Sequence, residues 1–201
     1  MSLNAKKKAE KYSGPSDGKI RCGWCLSDPI CVQYHDNEWG KPVHDDQLLF
    51  EFLVLESFQA GLSWLTVLKK RENFRKAFAG FEAKKVAKFD AAKVEQLMQN
   101  KGIIRNRLKI EAAINNAKLY LDLQKEFGSF RNYIWSFTDG KTFVNHPITL
   151  KELPAKTSIS DAMSKDMGQR GFKFRGSTIC YAFMQAVGIV DDHLENCWKK
   201  K

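Results

Sequence analysis

The sequence predicts an all-α protein. Three observations carry that prediction. Apolar residues recur at helical spacing in one segment after another, from Leu49, Phe52 and Leu53 near the middle to Ile179, Phe183, Ala186 and Val187 near the end. Aspartates and serines stand where such segments begin, and glycines stand where they stop. No segment shows the alternation of a half-buried strand, and no internal repeat is visible.

In chain order, residues 1–20 read as a flexible basic arm, with Ser13, Gly14, Pro15 and Gly18 as breakers. Residues 21–201 read as one helical domain of two packed halves. Its first stretch, 22–44, reads as irregular and rich in aromatic and ligand-type side chains, which a metal can hold together. Asp45 or Asp46 can accept from the free N–H groups of a helix that carries Leu49, Phe52, Leu53 and Glu56 on one face. Gly61 breaks that run, and Ser63 opens a helix through Val67 and Leu68 towards Phe78. Asp90 caps the next, with Val94, Leu97 and Met98 inward and Gly102 at its end. A long helix runs from about Arg105 to Leu123, and Phe130, Ile134 and Phe137 mark another. Ser158 or Ser160 opens a helix ending near Gly168. A tight connection follows, and a last helix begins at Ser177 or Thr178. The hairpin is placed near 168–178.

The formal charge is +10, with 43% hydrophobic and 28% charged residues. That balance supports a core and favours a polyanionic partner. No apolar run reaches the roughly 18 residues of a membrane-spanning helix. No apolar stretch follows the first lysines, so a signal peptide is not expected. Five cysteines in a chain of 201 residues suit a reducing compartment better than a disulfide framework.

Cys22, His35, His193 and Cys197 form a candidate zinc set of two thiolates and two imidazoles. His193 and Cys197 are four residues apart, which on a helix places them on one face. Such a site closes a loop almost as long as the chain and leaves no open position, so the metal is expected to be structural. The run Cys22-Gly23-Trp24-Cys25 leaves two alternatives: it can supply both thiolates, or act as a redox pair. Cys31 and Cys180 read as small buried apolar residues.

Gly171-Phe172-Lys173-Phe174-Arg175-Gly176 joins two helices, and its glycines allow a helix N-terminus to approach a phosphate. A plain αα-hairpin with basic solvent-facing residues is the other reading. Glu56 shares an apolar helical face, where a carboxylate is costly without a partner. Either it accepts structural hydrogen bonds or it lines a pocket. Tyr34, Trp39 and Trp64 flank it in sequence, with Gln59 close by. Aromatic faces beside a carboxylate suit a flat cationic ligand.

These segments resemble the bacterial DNA-3-methyladenine glycosylase I family of the helix-hairpin-helix superfamily. The stretches that carry the resemblance are Arg21-Cys22-Gly23-Trp24, Tyr34 to Gly40, Gln59 to Trp64, Lys69 to Glu72, Gly102 to Arg105, Ile134 to Phe137, Gly171 to Phe174 and Ile179 to Ala186. Together they span about residues 21–197. The resemblance implies a helix-hairpin-helix glycosylase fold in which one structural zinc ion on Cys22, His35, His193 and Cys197 joins the N- and C-terminal segments. It implies a base pocket of Tyr34, Trp39, Glu56 and Trp64, with Glu56 as the catalytic, base-reading carboxylate. It also implies a DNA-binding hairpin of Gly171, Lys173, Arg175, Gly176 and Ser177.

The implied activity is hydrolytic excision of 3-methyladenine from alkylated double-stranded DNA. Free base would be the product and an abasic site would remain, with no strand cleavage. A monomer in the bacterial cytoplasm is expected. Many helix-hairpin-helix glycosylases use an aspartate after the hairpin helix, whereas this family is described as lacking it in that role. Asp191 stands near that place and reads as a support for His193 rather than as a catalyst. Two rival functions remain at this level: a DNA-binding module without activity, and a thiol redox protein using Cys22 and Cys25.

Overall fold

The computed structural model describes Tyr12 and residues 14–200, so most of the expected basic arm lies outside the described residues. Among the described residues are ten α-helices. They are α1 (Pro29–Asn37), α2 (Asp46–Gln59), α3 (Trp64–Leu68), α4 (Arg71–Ala77), α5 (Ala83–Val86), α6 (Ala91–Gln99), α7 (Arg107–Phe127), α8 (Phe130–Ser136), α9 (Ser158–Gln169) and α10 (Ser177–Ala186). Among the described residues, one ladder pairs β1 (Phe143–Val144) in parallel with β2 (Val190–Asp191). The protein is all-α in class, as expected.

The centre of the fold is α2. Every residue from Leu49 to Phe58 is buried, because α7, α8, α10 and α3 surround the helix. A helix buried on all sides keeps any polar residue from water. Glu51 and Glu56 are therefore both interior. The expectation that Glu56 shares one apolar face understates this, since α2 has no solvent face along that stretch.

Caps explain most helix starts. Asp45 accepts from Leu48 N at 2.7 Å at the head of α2, Asp90 accepts from Lys93 N at 2.8 Å, and Asn106 accepts from Lys109 N at 3.1 Å. Asp46 does a different job from its neighbour. Its carboxylate accepts from Phe130 N and Arg131 N, at 3.0 and 2.8 Å, and so joins the start of α8 to the start of α2.

Two expectations are corrected. The stretch 22–44 is not irregular throughout, because α1 lies inside it. Asp28 accepts from Ile30 N, and Pro29 occupies the first turn, where its missing N–H is no loss. Nor are His193 and Cys197 on a helix. α10 stops at Ala186, and Gly188 follows at φ 72° with its backbone so close to Lys41 and Pro42 that a side chain would collide. The chain then enters β2, and Cys197 N returns to Leu194 O in a turn.

The hairpin comprises α9, residues 170–176 and α10. It is held from below by α7. Asn116 donates to Lys173 O at 3.0 Å and accepts from Lys173 N at 2.9 Å, and Asn115 donates to Gly171 O at 3.1 Å. Phe172 is buried, and Phe174 sits at φ 48° with its carbonyl accepting from Ser57 Oγ. Because Asn116 is itself buried, Asn116→Ala leaves two backbone groups unpaired. It should lower stability by about 2–3 kcal/mol. Denaturant unfolding measures this, and a loss under about 0.5 kcal/mol would mean that the loop holds without Asn116.

Candidate active site and metal centre

α1 serves two sites with consecutive residues. Tyr34 turns towards a cleft bounded by α2 and α10, and His35 turns towards the chain termini. The cleft holds about 200 Å³ and is lined by Trp24, Tyr34, Trp39, Glu56, Gln59, Trp64, Leu153, Ala182 and Gln185. All four expected pocket residues, Tyr34, Trp39, Glu56 and Trp64, thus meet at one place. Tyr34 and Trp64 rings lie 5.2 Å apart, and Trp24 and Trp39 rings 5.0 Å apart.

Two polar atoms in this wall are buried and have no hydrogen-bond partner: Glu56 Oε2 and Trp64 Nε1. Burial alone pushes the Glu56 carboxyl up to about 8. A buried acceptor and a buried donor left unpaired at one cavity are costly for the empty protein and suited to a ligand that pairs both. Of the two readings of Glu56, the one in which it accepts structural hydrogen bonds finds none at Oε2.

Trp24, Leu153, Ala182 and Gln185 belong to the cleft and were not assigned to it from sequence. Gln185 carried a usable signal, as a polar residue within the apolar helix Ser177–Ala186. Leu153 carried none, since it arrives from a loop far along the chain.

A second cleft of about 180 Å³ shares Glu56, Gln59 and Ala182 with the first. It extends past Ala60, Gly61 and Leu62 to Thr178 and Ile179 at the start of α10. The hairpin's helix N-terminus and the aromatic cleft therefore share a wall. No side chain caps α10, so its first N–H groups are available to an anion. Of the expected hairpin residues, Gly171 takes φ 94° and Gly176 stands in open space. Lys173 is exposed, whereas Arg175 folds back across α9 onto Ser164 Oγ. The Ser177 hydroxyl lies 2.9 Å from that of Ser160. Arg170 is occupied by Glu126 and Asp166.

The metal cluster forms where the chain ends meet. Ligand atoms of Cys22, His35 and Cys197 all lie within 4.8 Å of one another, and the three residues are buried. The His193 ring lies 5.0 Å from that of His35, and its Nε2 is buried without a partner. Both imidazoles hold a carboxylate at Nδ1: Asp36 at 2.8 Å from His35 and Asp191 at 2.7 Å from His193. That arrangement fixes each ring, with His35 Nε2 turned to Cys197 Sγ at 3.5 Å and His193 Nε2 left without a partner. Asp36 is anchored in turn by Arg21 at 2.7 Å, which also pairs with Asp17 at 2.6 Å.

Hydrogen bonding from Cys22, and then from His35, pulls the Cys197 thiol down to about 4 against the effect of burial. Burial opposes a charge on His35, yet its bonds with Cys197, Cys25 and Asp36 raise it to about 10. Two buried thiols and an imidazole gathered within 4.8 Å, beside an orphaned ring nitrogen, fit a structural zinc ion bridging the N- and C-terminal segments. The thiols in the mutual cluster are Cys22 and Cys197, and Cys25 lies beside it within reach of His35. Cys31 and Cys180 are buried, as expected, and all five cysteines are free.

The two sites touch. The Trp39 ring lies 4.6 Å from His193 and 6.0 Å from His35, so the metal cluster backs one wall of the cleft. Gly40 makes this possible, since a Cβ there would come within 2.7 Å of His193 Cε1.

The model of the methyladenine glycosylase family matches residues 24–200. The chain is 52% identical over 177 residues to DNA-3-methyladenine glycosylase 1 of Escherichia coli (strain K12), covering 88% of this chain and 95% of that protein. A crystal structure of 3-methyladenine DNA glycosylase I superposes with a TM-score of 0.88 at 48% identity, covering 90% of this chain and all of the other. The Staphylococcus aureus 3-methyladenine DNA glycosylase I, solved to show the structural basis of 3-methyladenine recognition, superposes with a TM-score of 0.87 at 39% identity, covering 90% and 96%. With a family match across nearly all of the described chain and these identities, this chain belongs to the methyladenine glycosylase family.

Proposed function

We propose that this protein excises 3-methyladenine from alkylated double-stranded DNA by hydrolysing the N-glycosidic bond, leaving free base and an abasic site. The observation that carries this reading is the buried, unpaired Glu56 carboxyl in a cleft walled by Tyr34, Trp39 and Trp64. The names of the related proteins support it.

The target base must leave the stack to be reached. Methylation at N3 has already given it positive charge, so the base departs neutral and needs no strong acid. The cleft's task is to select and hold a cation. The indole and phenol faces attract it, and Glu56 accepts a proton donor from its edge. Ordinary adenine brings no charge to repay ionising Glu56. At the mouth, Leu62 is 42% exposed beside Gly61 at φ 79° and is placed to fill the gap left by the flipped base. Lys173 and the uncapped N-terminus of α10 take the backbone phosphates, with Gly171 and Gly176 allowing the approach. Arg175 and Ser177 brace that hairpin through α9.

His193 completes the zinc site as fourth ligand with Cys22, His35 and Cys197. With four protein donors the ion supplies structure rather than chemistry. Asp191, locked to His193, supports that ligand and is not the catalytic acid. The protein acts as a monomer inside the bacterial cell; among the described residues, no helix is long and apolar enough to cross a membrane.

The test is release of 3-methyladenine from methylated duplex DNA, followed by chromatography. A borohydride-trapped protein–DNA adduct, or strand cleavage without added base, would contradict the hydrolytic route. A pH profile tests Glu56 itself. The free protein must ionise a carboxyl that sits at about 8, so kcat/KM should rise with pH and level off above that value. The bound cation favours the carboxylate, so kcat should inflect at lower pH. A kcat/KM that is flat between pH 6 and 9 would remove Glu56 as the group that must ionise.

A further inference from the structure

We propose that Gln185 is a specificity residue of the cleft, held by Asp192 so that its amide oxygen accepts from the exocyclic amine of an adenine-type base and rejects a 6-oxo purine. This deepens the glycosylase reading and rests on it.

The argument begins at Asp192, which is 1% exposed. Three donors converge on its carboxylate. Tyr181 Oη donates to Oδ2 at 2.7 Å, Gln185 Nε2 donates to the same oxygen at 2.6 Å, and Asn145 Nδ2 donates to Oδ1 at 2.8 Å. A carboxylate in this position accepts and does not donate, so it selects which end of the Gln185 amide it meets. The NH₂ group faces Asp192. Rotating the amide by half a turn would set two acceptors against each other inside a buried network.

Gln185 also lines the cleft. With Nε2 turned to Asp192, the amide oxygen is turned away from it, and it is the side chain's one acceptor. The backbone keeps it there, because Gln185 O accepts from Gly40 N at 3.0 Å, next to Trp39. The cleft's buried, unpaired atoms are one acceptor, Glu56 Oε2, and one donor, Trp64 Nε1; the proposed orientation adds the Gln185 oxygen as a second acceptor.

The exocyclic amine of 3-methyladenine has two hydrogens to give. 3-Methylguanine carries the same methyl group and positive charge but presents an oxygen at that position. Charge and aromatic stacking do not distinguish the two bases. An acceptor-lined wall does, because a carbonyl oxygen placed there meets acceptors and loses its own water.

The experiment measures kcat/KM for release of 3-methyladenine and of 3-methylguanine from duplex DNA treated with dimethyl sulfate. Wild type, Gln185→Met and Asp192→Asn are compared, with zinc content and melting temperature measured for each. Gln185→Met keeps the shape and removes the acceptor, so the preference for 3-methyladenine should fall about tenfold through loss on that base. Asp192→Asn keeps its oxygen towards Asn145 and places an NH₂ where Oδ2 was. The Gln185 amide then turns over and shows its own NH₂ to the cleft, so release of 3-methylguanine should rise.

A preference unchanged in Gln185→Met overturns the proposal, as does an equal loss on both bases. If Asp192→Asn fails to fold or loses zinc, Gln185→Met alone decides. Wild type that releases neither base overturns the glycosylase reading itself, which separates that failure from this one.

Discussion

Replacing Glu56 with Gln is expected to cut 3-methyladenine excision by about 10²- to 10³-fold while raising the melting temperature at neutral pH. The first effect follows from the removal of the one charge aimed at a cationic base within a low-dielectric cleft. The second follows from proton linkage. The Glu56 carboxyl titrates near 4.5 when unfolded and at about 8 in the fold, with burial as the cause. Between those values the native state holds a proton that the unfolded chain has released. Native stability therefore falls as pH rises through that window, and levels off above about 8.

At pH 7 the cost of burying this group is about 3 kcal/mol. An amide carries no such cost. The melting temperature of Glu56→Gln relative to wild type should thus climb by several degrees between pH 4.5 and 8. Paired calorimetry across that range, with base release measured alongside, checks both halves. A variant that excises at the wild-type rate when chemistry is limiting would end the assignment. A difference in melting temperature that does not change with pH would show that the carboxyl ionises in the fold as readily as in the unfolded chain, with a partner or water to hold its charge. The combined expectation is a functional group held at the expense of stability.

Removing zinc is expected to have the largest effect on stability. The cluster ties Cys22 and His35 to Cys197, and so joins the two ends of the chain. Segments 14–28 and 192–200 contain no α-helix, so no helical ladder holds their backbone. Leu194 N reaches Cys22 Sγ at 3.4 Å, and Trp198 N reaches Ile20 O at 2.9 Å. Metal-binding energy in such a site is folding energy. Loss of about 5 kcal/mol, a fall of 10 °C or more in melting temperature, is expected on chelation or in Cys197→Ser.

Because the Trp39 ring rests against His193, the metal-free protein should also bind free 3-methyladenine more weakly. Elemental analysis, calorimetry with and without a chelator, and indole fluorescence on adding the base read metal content, stability and binding in turn. Purified protein that contains no zinc and still melts at the same temperature would reject the structural ion.

How much of this was legible without coordinates differs from element to element. Apolar recurrence and capping residues located α2, α6, the long α7 and the start of α3 closely, because local propensity and tertiary packing agree there, but the single helix expected from Ser63 towards Phe78 is two, α3 and α4. α1 was missed although Asp28 and Pro29 announce it, since the surrounding glycines and aromatics read as loop. The spacing of His193 and Cys197 suggested a helical face. The correct neighbours came from the wrong geometry, because a turn brings the two residues together instead.

By itself, the sequence determined an all-α chain, a zinc-type donor set, a carboxylate beside aromatic residues and membership of a family whose motifs are long enough to recognise. Those properties reside in residue type and local spacing. Only the tertiary structure decided that Glu56 lacks a partner, that Arg175 lies back on α9 rather than free, that Cys22 and Cys197 share the mutual cluster, and that Asp192 sets the Gln185 amide. Each depends on which distant segments pack around a side chain, and that fixes desolvation and hydrogen bonding. Neither property can be read from neighbours along the chain.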